Sequence, residues 1–167
     1  MEKVIIIGCP GSGKSTFGRN LKAITGLPLF HLDMLFWNED RTTVPKEVFN
    51  ERLKKTMSKS KWIIDGNYAS TMETRIKECD TVFFLDYLTN VCIEGIESRK
   101  GQRRSDMPWV ENDNTDEDFI DFINRYNLES RPEVISLLEK YPSKNIIIFK
   151  TRIESEEYLS LLKNNGS

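Results

Sequence analysis

Histidine is all but missing from the 167 residues: His31 stands alone, so a multi-histidine metal site is excluded and a Ser-His-Asp triad would have to be built on that one imidazole. Cysteine is nearly as scarce. Cys9, Cys79 and Cys92 are odd in number, far apart and outside any C-x-x-C spacing, which argues against a disulfide framework and a zinc site and fits a reducing compartment. No apolar run approaches the roughly 18 residues that span a bilayer. Met1-Glu2-Lys3 leads straight into Val4-Ile5-Ile6-Ile7-Gly8, without the apolar stretch and small-residue cleavage site of a signal peptide. The expectation is a soluble cytoplasmic protein with no membrane partner. Positive charge is not in excess either: 24 lysines and arginines against 26 aspartates and glutamates leave a net charge of −2. That is the wrong sign for a chain whose whole surface grips nucleic acid, although a local basic patch remains open.

What is present suffices for one core. The length fits a single domain over 1–167, and 38% hydrophobic residues exclude disorder. Short β-branched or aromatic runs alternate with stretches of helical period: Lys3–Ile7 then Lys14–Ile24, Leu29–Leu32 then Pro45–Met57, Trp62–Ile64 then Tyr68–Glu78, Thr81–Leu85 then Asn90–Arg99, and Asn145–Phe149 then Ser155–Leu162. Repeated β-α units predict an α/β fold with a five-stranded parallel sheet between two helical layers, and the strand runs are apolar at consecutive positions, as two covered faces require. One long excursion separates the fourth and fifth strands. There Arg99, Lys100, Arg103 and Arg104 give way to Glu111, Asp113, Asp116, Glu117 and Asp118, and Phe119 to Tyr126 mark a helix that Pro132 closes or kinks.

Gly8-Cys9-Pro10-Gly11-Ser12-Gly13-Lys14-Ser15 fits G-x-x-x-x-G-K-[ST] and lies where that motif has a mechanism, directly after a β-run and at the opening of a helix. Glycines let backbone N–H groups turn toward a polyphosphate, and the helix directs its positive dipole end at the same anion. In that scheme Lys14 reaches the β- and γ-phosphates, the Ser15 hydroxyl ligates Mg²⁺, and Thr16 completes the nucleotide contacts. Trp62-Ile63-Ile64-Asp65-Gly66 adds an apolar run ending in a carboxylate; Asp65 either supports the Mg²⁺ water shell or belongs to an Asp-Gly turn. The guanine motif N-K-x-D is absent, and the chain is too short for a large ATPase motor. A small ATP- and Mg²⁺-dependent phosphotransferase of the P-loop NTPase class remains.

On these residues the chain resembles the adenylate kinase-like P-loop kinases, the likeness resting on Ile63-Ile64-Asp65-Gly66-Asn67-Tyr68 and on the arginines of 99–104. More narrowly, His31-Leu32-Asp33-Met34-Leu35-Phe36-Trp37, Trp62 through Tyr68, and Gly101-x-x-Arg104-x-Asp106-Met107 resemble the bacterial branch described as DNA topology modulation proteins. The resemblance implies a three-layer α/β/α kinase with a short helical lid around 100–115. One departure bears on the acceptor. Where adenylate kinases follow Asp-Gly with an aromatic, Pro and a phosphate-gripping Arg, this chain has Asn67-Tyr68-Ala69, and the next arginine is Arg75.

Asp33 closes the second β-run, at the crevice beyond the strand ends, and is the candidate base or orienting group for an acceptor hydroxyl; a turn cap and a Mg²⁺ water contact are the other roles open to it. His31, two residues earlier on the same strand face, reads as a packed or hydrogen-bonded histidine. Trp37 and Tyr68 are candidate acceptor contacts. Arg99, Arg103 and Arg104 either cover the migrating phosphoryl group or form a solvated basic helix end, with Arg99 and Arg103 on one face at helical spacing. Arg125 is a further phosphate clamp, and Arg131 reads equally as structural. The rival class is a nucleic-acid-binding regulator using the 99–104 cluster, or a nucleotide sensor with weak ATPase activity. The expected assembly is a monomer or weak dimer.

Overall fold

The computed structural model describes residues 1–109 and 117–165. Among them the chain runs β1 Lys3–Gly8, α1 Lys14–Thr25, β2 Leu29–His31, α2 Leu32–Phe36, α3 Lys46–Met57, β3 Trp62–Asp65, α4 Ala69–Glu78, β4 Thr81–Leu85, α5 Thr89–Glu97, α6 Glu117–Arg125, α7 Ser130–Glu139, β5 Asn145–Phe149 and α8 Arg152–Asn165. The strands form one parallel sheet in the order β2-β3-β1-β4-β5. Alternation along β1 assigns the two layers. Val4 and Ile6 pack with Phe17 and Leu21 of α1 and Leu159 of α8, whereas Ile5 and Ile7 pack with Phe49 and Leu53 of α3 and Met72 and Ile76 of α4. Both faces are covered, so β1 is apolar at every position from Val4 to Ile7. No helix among the described residues is long and apolar enough to cross a membrane.

Four sequence expectations need correction. The second strand ends at His31, because Leu32 turns into the core and opens the short helix α2, whose closing bond runs from Trp37 N–H to Asp33 O at 3.0 Å. Asp33 therefore sits in a helical turn, and it does not share a strand face with His31. α5 stops at Glu97, so Arg99 and Arg103 follow the helix in turns and extended chain instead of lying on one helical face. The expected lid is not helical over 100–109; its remainder, with Glu111, Asp113 and Asp116, lies outside the described residues. Pro132 neither closes nor kinks α6, which ends at Arg125; it occupies the first turn of α7, where a missing N–H costs nothing. Arg131 beside it is structural, with Nε donating to Asp86 Oδ1 at 2.7 Å and Nη2 to Asp86 Oδ2 at 2.8 Å.

The loop from β3 into α4 carries site residues and is held from inside. Arg75 is fully buried; its Nη1 donates to Gly66 O at 2.8 Å, and its Nη2 donates to the carbonyls of Asn67 and Tyr68. Burial pulls the guanidinium down to about 10, which leaves it charged at neutral pH. This brace fixes Tyr68 at φ 39, a left-handed backbone that a non-glycine residue adopts only under constraint. Replacing Arg75 with Met leaves the carbonyls of Gly66 and Asn67 without their guanidinium partner, whereas Tyr68 O keeps Thr71 N–H at 3.0 Å, and urea unfolding should show a loss of about 3 kcal/mol.

Candidate active site

The chain leaves β1 at Gly8 and enters α1 at Lys14, so the loop lies beyond the end of the central strand, where the strand order reverses; open α/β sheets bind ligands there. Gly11 has φ +82, and a Cβ on it would lie 1.9 Å from the carbonyl oxygen of Cys92, so α5 presses directly on the loop. Ser12 N–H closes a turn on Cys9 O at 3.1 Å, and Gly8 N–H donates to Asn67 Oδ1 at 3.0 Å. The Lys14 ammonium curls over this loop, donating to Gly8 O at 2.9 Å and Cys9 O at 3.1 Å. Burial lowers its pKa, while Asp65 and Asp33 oppose that shift. A phosphate oxygen would offer the same ammonium a charged acceptor in place of neutral carbonyls.

A cleft of about 1120 Å³ opens over the loop. Pro10, Gly11, Gly13, Lys14, Ser15 and Thr16 line it from the loop side; Asp33, Trp37, Asp65 and Tyr68 line it from the β2 and β3 ends; Arg99, Arg103 and Arg104 line it from the segment after α5. Gly8 and Ser12 are buried beneath the loop. Arg125 is not brought to the cleft. It is exposed on α6 and pairs at 3.4 Å with Glu129 one turn on, so it cannot serve there as a phosphate clamp.

Two carboxylates face the cleft, Asp65 from the end of β3 and Asp33 from the first turn of α2. Asp65 accepts a hydrogen bond from His31 Nδ1 at 2.9 Å, which makes the lone histidine an orienting group. The other Asp65 oxygen, Oδ2, is buried and has no hydrogen-bond partner. Asp33 accepts from the Tyr68 hydroxyl at 2.6 Å. Burial raises the Asp33 pKa; the Tyr68 hydrogen bond and the Lys14 charge pull against it. Phe36 joins this wall, with ring centroids 5.2 Å from Trp37 and 4.9 Å from Tyr68.

Asp106, Arg152 and Arg19 are cleft residues that sequence reasoning does not mark as site residues. Asp106 enters that reasoning only within a motif; in the structure it is buried and accepts from Ser15 Oγ at 2.6 Å and from Arg104 Nε at 3.1 Å. Burial pushes its pKa up, but the Arg104 and Ser15 bonds outweigh that and hold the carboxylate well below the usual range. Arg152, at the start of α8, donates to Gly11 O and Val91 O, both at 3.2 Å, and clasps loop and α5 together. Arg19 bridges Thr16 and Ser105. Parallel topology could have flagged Arg152, because every strand ends at the same crevice and it follows β5 closely.

Mg²⁺ keeps most of its waters and takes one or two carboxylates plus substrate phosphates, so it needs no cage of protein ligands. The orphaned Asp65 Oδ2 and the Ser15 hydroxyl fit that requirement, and among the described residues no cluster of three or more His, Cys, Asp or Glu forms a denser site.

Sheet order, loop and helix define an α/β protein of the P-loop NTPase fold. Among solved structures, shikimate kinase from Bacteroides thetaiotaomicron matches with a TM-score of 0.60 and 18% identity over 97% of this chain and 96% of that one. Shikimate kinase from Acinetobacter baumannii, solved in complex with shikimate, matches with a TM-score of 0.62 and 14% identity over 99% and 94%. By sequence, Clostridium botulinum shikimate kinase is 28% identical over 165 residues, 90% of this chain and 95% of the relative. Thermotoga maritima adenylate kinase is 29% identical over 90 residues, which span 52% of this chain and only 39% of that enzyme. No protein-family model matches. With the intact loop, these kinase relatives support a P-loop kinase.

Asp65→Asn tests the metal site. It keeps size but removes the charge aimed at the cation, so the gain in nucleotide affinity on adding Mg²⁺, read by calorimetry, should shrink by at least tenfold while metal-free affinity holds.

Proposed function

We propose that this chain, acting as a single kinase domain, transfers the γ-phosphoryl group of ATP·Mg²⁺ to a hydroxyl of a small-molecule acceptor. The observation that carries this reading is Asp33, a half-buried carboxylate with a raised pKa, in the same cleft as the phosphate loop. A general base works best when its pKa rises toward the working pH, and desolvation supplies that shift. The acceptor hydroxyl gives its proton to Asp33 as its oxygen bonds to the γ-phosphorus and the bond to the β-phosphate bridge breaks. Mg²⁺, when bound, supplies charge neutralisation across the phosphates. Lys14 holds the transferring end, Ser15 and Asp65 orient the metal shell, and Arg99, Arg103 and Arg104 line the cleft where charge spreads in the transition state. Trp37, Phe36 and Tyr68 form the acceptor wall.

A nucleotide phosphate is a poor acceptor here. Asp33 and Asp65 would repel it, and Arg75, the nearest arginine after the Asp-Gly pair, is committed to three backbone carbonyls. The relative solved with shikimate supports a small-molecule acceptor without naming this one. The narrower likeness to topology modulation proteins rests on segments 31–37, 62–68 and 101–107, all of which contribute to the cleft, so it agrees with a kinase chemistry for those motifs.

A phosphoryl-transfer screen over nucleosides, nucleoside monophosphates and hydroxylated metabolites tests the reading. Asp33→Asn should lower transfer to the acceptor by roughly 10²–10⁴-fold and leave ATP binding intact. The pH profile adds a second check. Asp33 must be ionised to act, and its pKa is raised, so kcat/KM should fall as pH drops through a value above that of an ordinary aspartate. Tyr68→Phe removes a bond that favours the ionised form, so the acid limb should move to still higher pH. Efficient phosphorylation of a monophosphate, undiminished in Asp33→Asn, would overturn the hydroxyl acceptor.

A further inference from the structure

Asp106 is 91 residues from Ser15 along the chain, yet its carboxylate is 2% exposed and rests on the phosphate loop. Ser15 Oγ donates to its Oδ2 at 2.6 Å, and Arg104 grips both of its oxygens. A serine hydroxyl has one proton and two lone pairs. With the proton committed to Asp106, the oxygen of Ser15 turns only lone pairs toward any other partner, which is the state a metal ligand requires. Asp65 does not provide this service, because one of its oxygens is taken by His31 and the other has no hydrogen-bond partner.

The ion pair with Arg104 keeps Asp106 a carboxylate, so it stays an acceptor for the Ser15 proton. It also belongs to the segment after α5, whose Trp109 packs edge-on against Trp37 of the acceptor wall, with ring centroids 5.1 Å apart at 89°. A single side chain thus joins the metal ligand, a cleft arginine and the segment that reaches the acceptor wall. We propose that Asp106 is a positioning residue that makes nucleotide binding conditional on Mg²⁺, by fixing the Ser15 hydroxyl proton, and that it ties the 98–109 segment to the metal. This rests on the reading that a Mg²⁺-nucleotide occupies the loop and is independent of the acceptor.

The test is the affinity of the full chain for ADP, by calorimetry, with Mg²⁺ and with EDTA. The ratio of the two dissociation constants measures the metal's contribution. In Asp106→Asn that ratio should fall about tenfold or more, the usual effect of losing a group that orients a metal ligand, with metal-free ADP binding unchanged. Asp106→Glu should restore part of it. A ratio equal to that of the unmodified protein, or a parallel loss of both affinities, as expected of a purely structural tie, overturns the proposal. Ser15→Ala should itself lower the ratio, and the double variant should be no worse than Ser15→Ala; losses that multiply would show Asp106 acting apart from Ser15 and refute the positioning role. If Asp106→Asn does not fold, hydrogen exchange across 104–109 decides. Mg²⁺·ADP should slow it more than ADP alone in the unmodified protein, and that difference should vanish in Ser15→Ala; its persistence refutes the link. Absence of any nucleotide binding to the unmodified protein would defeat the kinase reading and this inference together, whereas binding with an unaltered ratio in the variants defeats the inference alone.

Discussion

α5 and the phosphate loop approach each other too closely for a side chain to stand between them. A Cβ at Gly11 would meet the Cys92 carbonyl at 1.9 Å, and a Cβ at Gly95 would meet the Gly11 carbonyl at 2.1 Å. Neither position has room for a side chain. That contact lets a loop following the central strand lie flat beneath the cleft, with its peptide groups available to an anion, instead of bulging into it. Arg152 locks the arrangement from a third element by donating to Gly11 O and Val91 O at once. The order β2-β3-β1-β4-β5 does the rest, because it places the ends of β3 and β4 on either side of the loop. The strand-end acid Asp65 and the buried ion pair at Asp86 then flank it.

Charge in the cleft is arranged with equal economy. Asp33, Asp65 and Asp106 stand against Lys14, Arg99, Arg103, Arg104 and Arg152. Each carboxylate has a different partner, and the partner decides the chemistry. Burial raises the Asp33 pKa against the pull of the Tyr68 hydrogen bond, which on the proposed function suits proton uptake. His31 takes one oxygen of Asp65 and leaves the other bare, which suits a cation's hydration shell. Arg104 and Ser15 hold Asp106 ionised, which suits a fixed acceptor for the Ser15 proton. On the proposed function, three residues of one type take separate roles from their surroundings.

How much of this was legible in the sequence follows from the range of the forces involved. β1, the loop and α1 were readable because local signals agree there: an apolar run, glycines at fixed spacing and a helical period. β1, β3 and β4 were readable because two covered faces force continuous apolar runs, and the partly exposed edge strands β2 and β5 were readable because they too are mostly apolar. The end of β2 was not, since Leu29, Phe30 and Leu32 carry the apolar run past His31 and only the burial of Leu32 against the second layer turns the chain into α2. Asp33 was therefore identified as a cleft residue on a mistaken local geometry. Arg99 and Arg103 reach the cleft without the helical spacing assigned to them, because α5 ends two residues before Arg99. Asp106 and Arg152 escaped because their partners are 91 and 141 residues away, a separation no local pattern encodes.

Arg75 shows how a displaced charge can redirect chemistry. In adenylate kinases, by the resemblance on which the sequence reading rests, the arginine shortly after Asp-Gly reaches out to an acceptor phosphate. Here the first arginine after Asp65-Gly66 lies on the second turn of α4, where the helix points it inward and burial excludes water. A buried guanidinium must find acceptors, and the nearest are the carbonyls of Gly66, Asn67 and Tyr68. Satisfying it sets the backbone of Tyr68, and that backbone places the phenol on Asp33. On the proposed function, an arginine placed here to brace the loop supports, through Tyr68, the carboxylate that would accept a hydroxyl's proton, and it is not available to an acceptor phosphate.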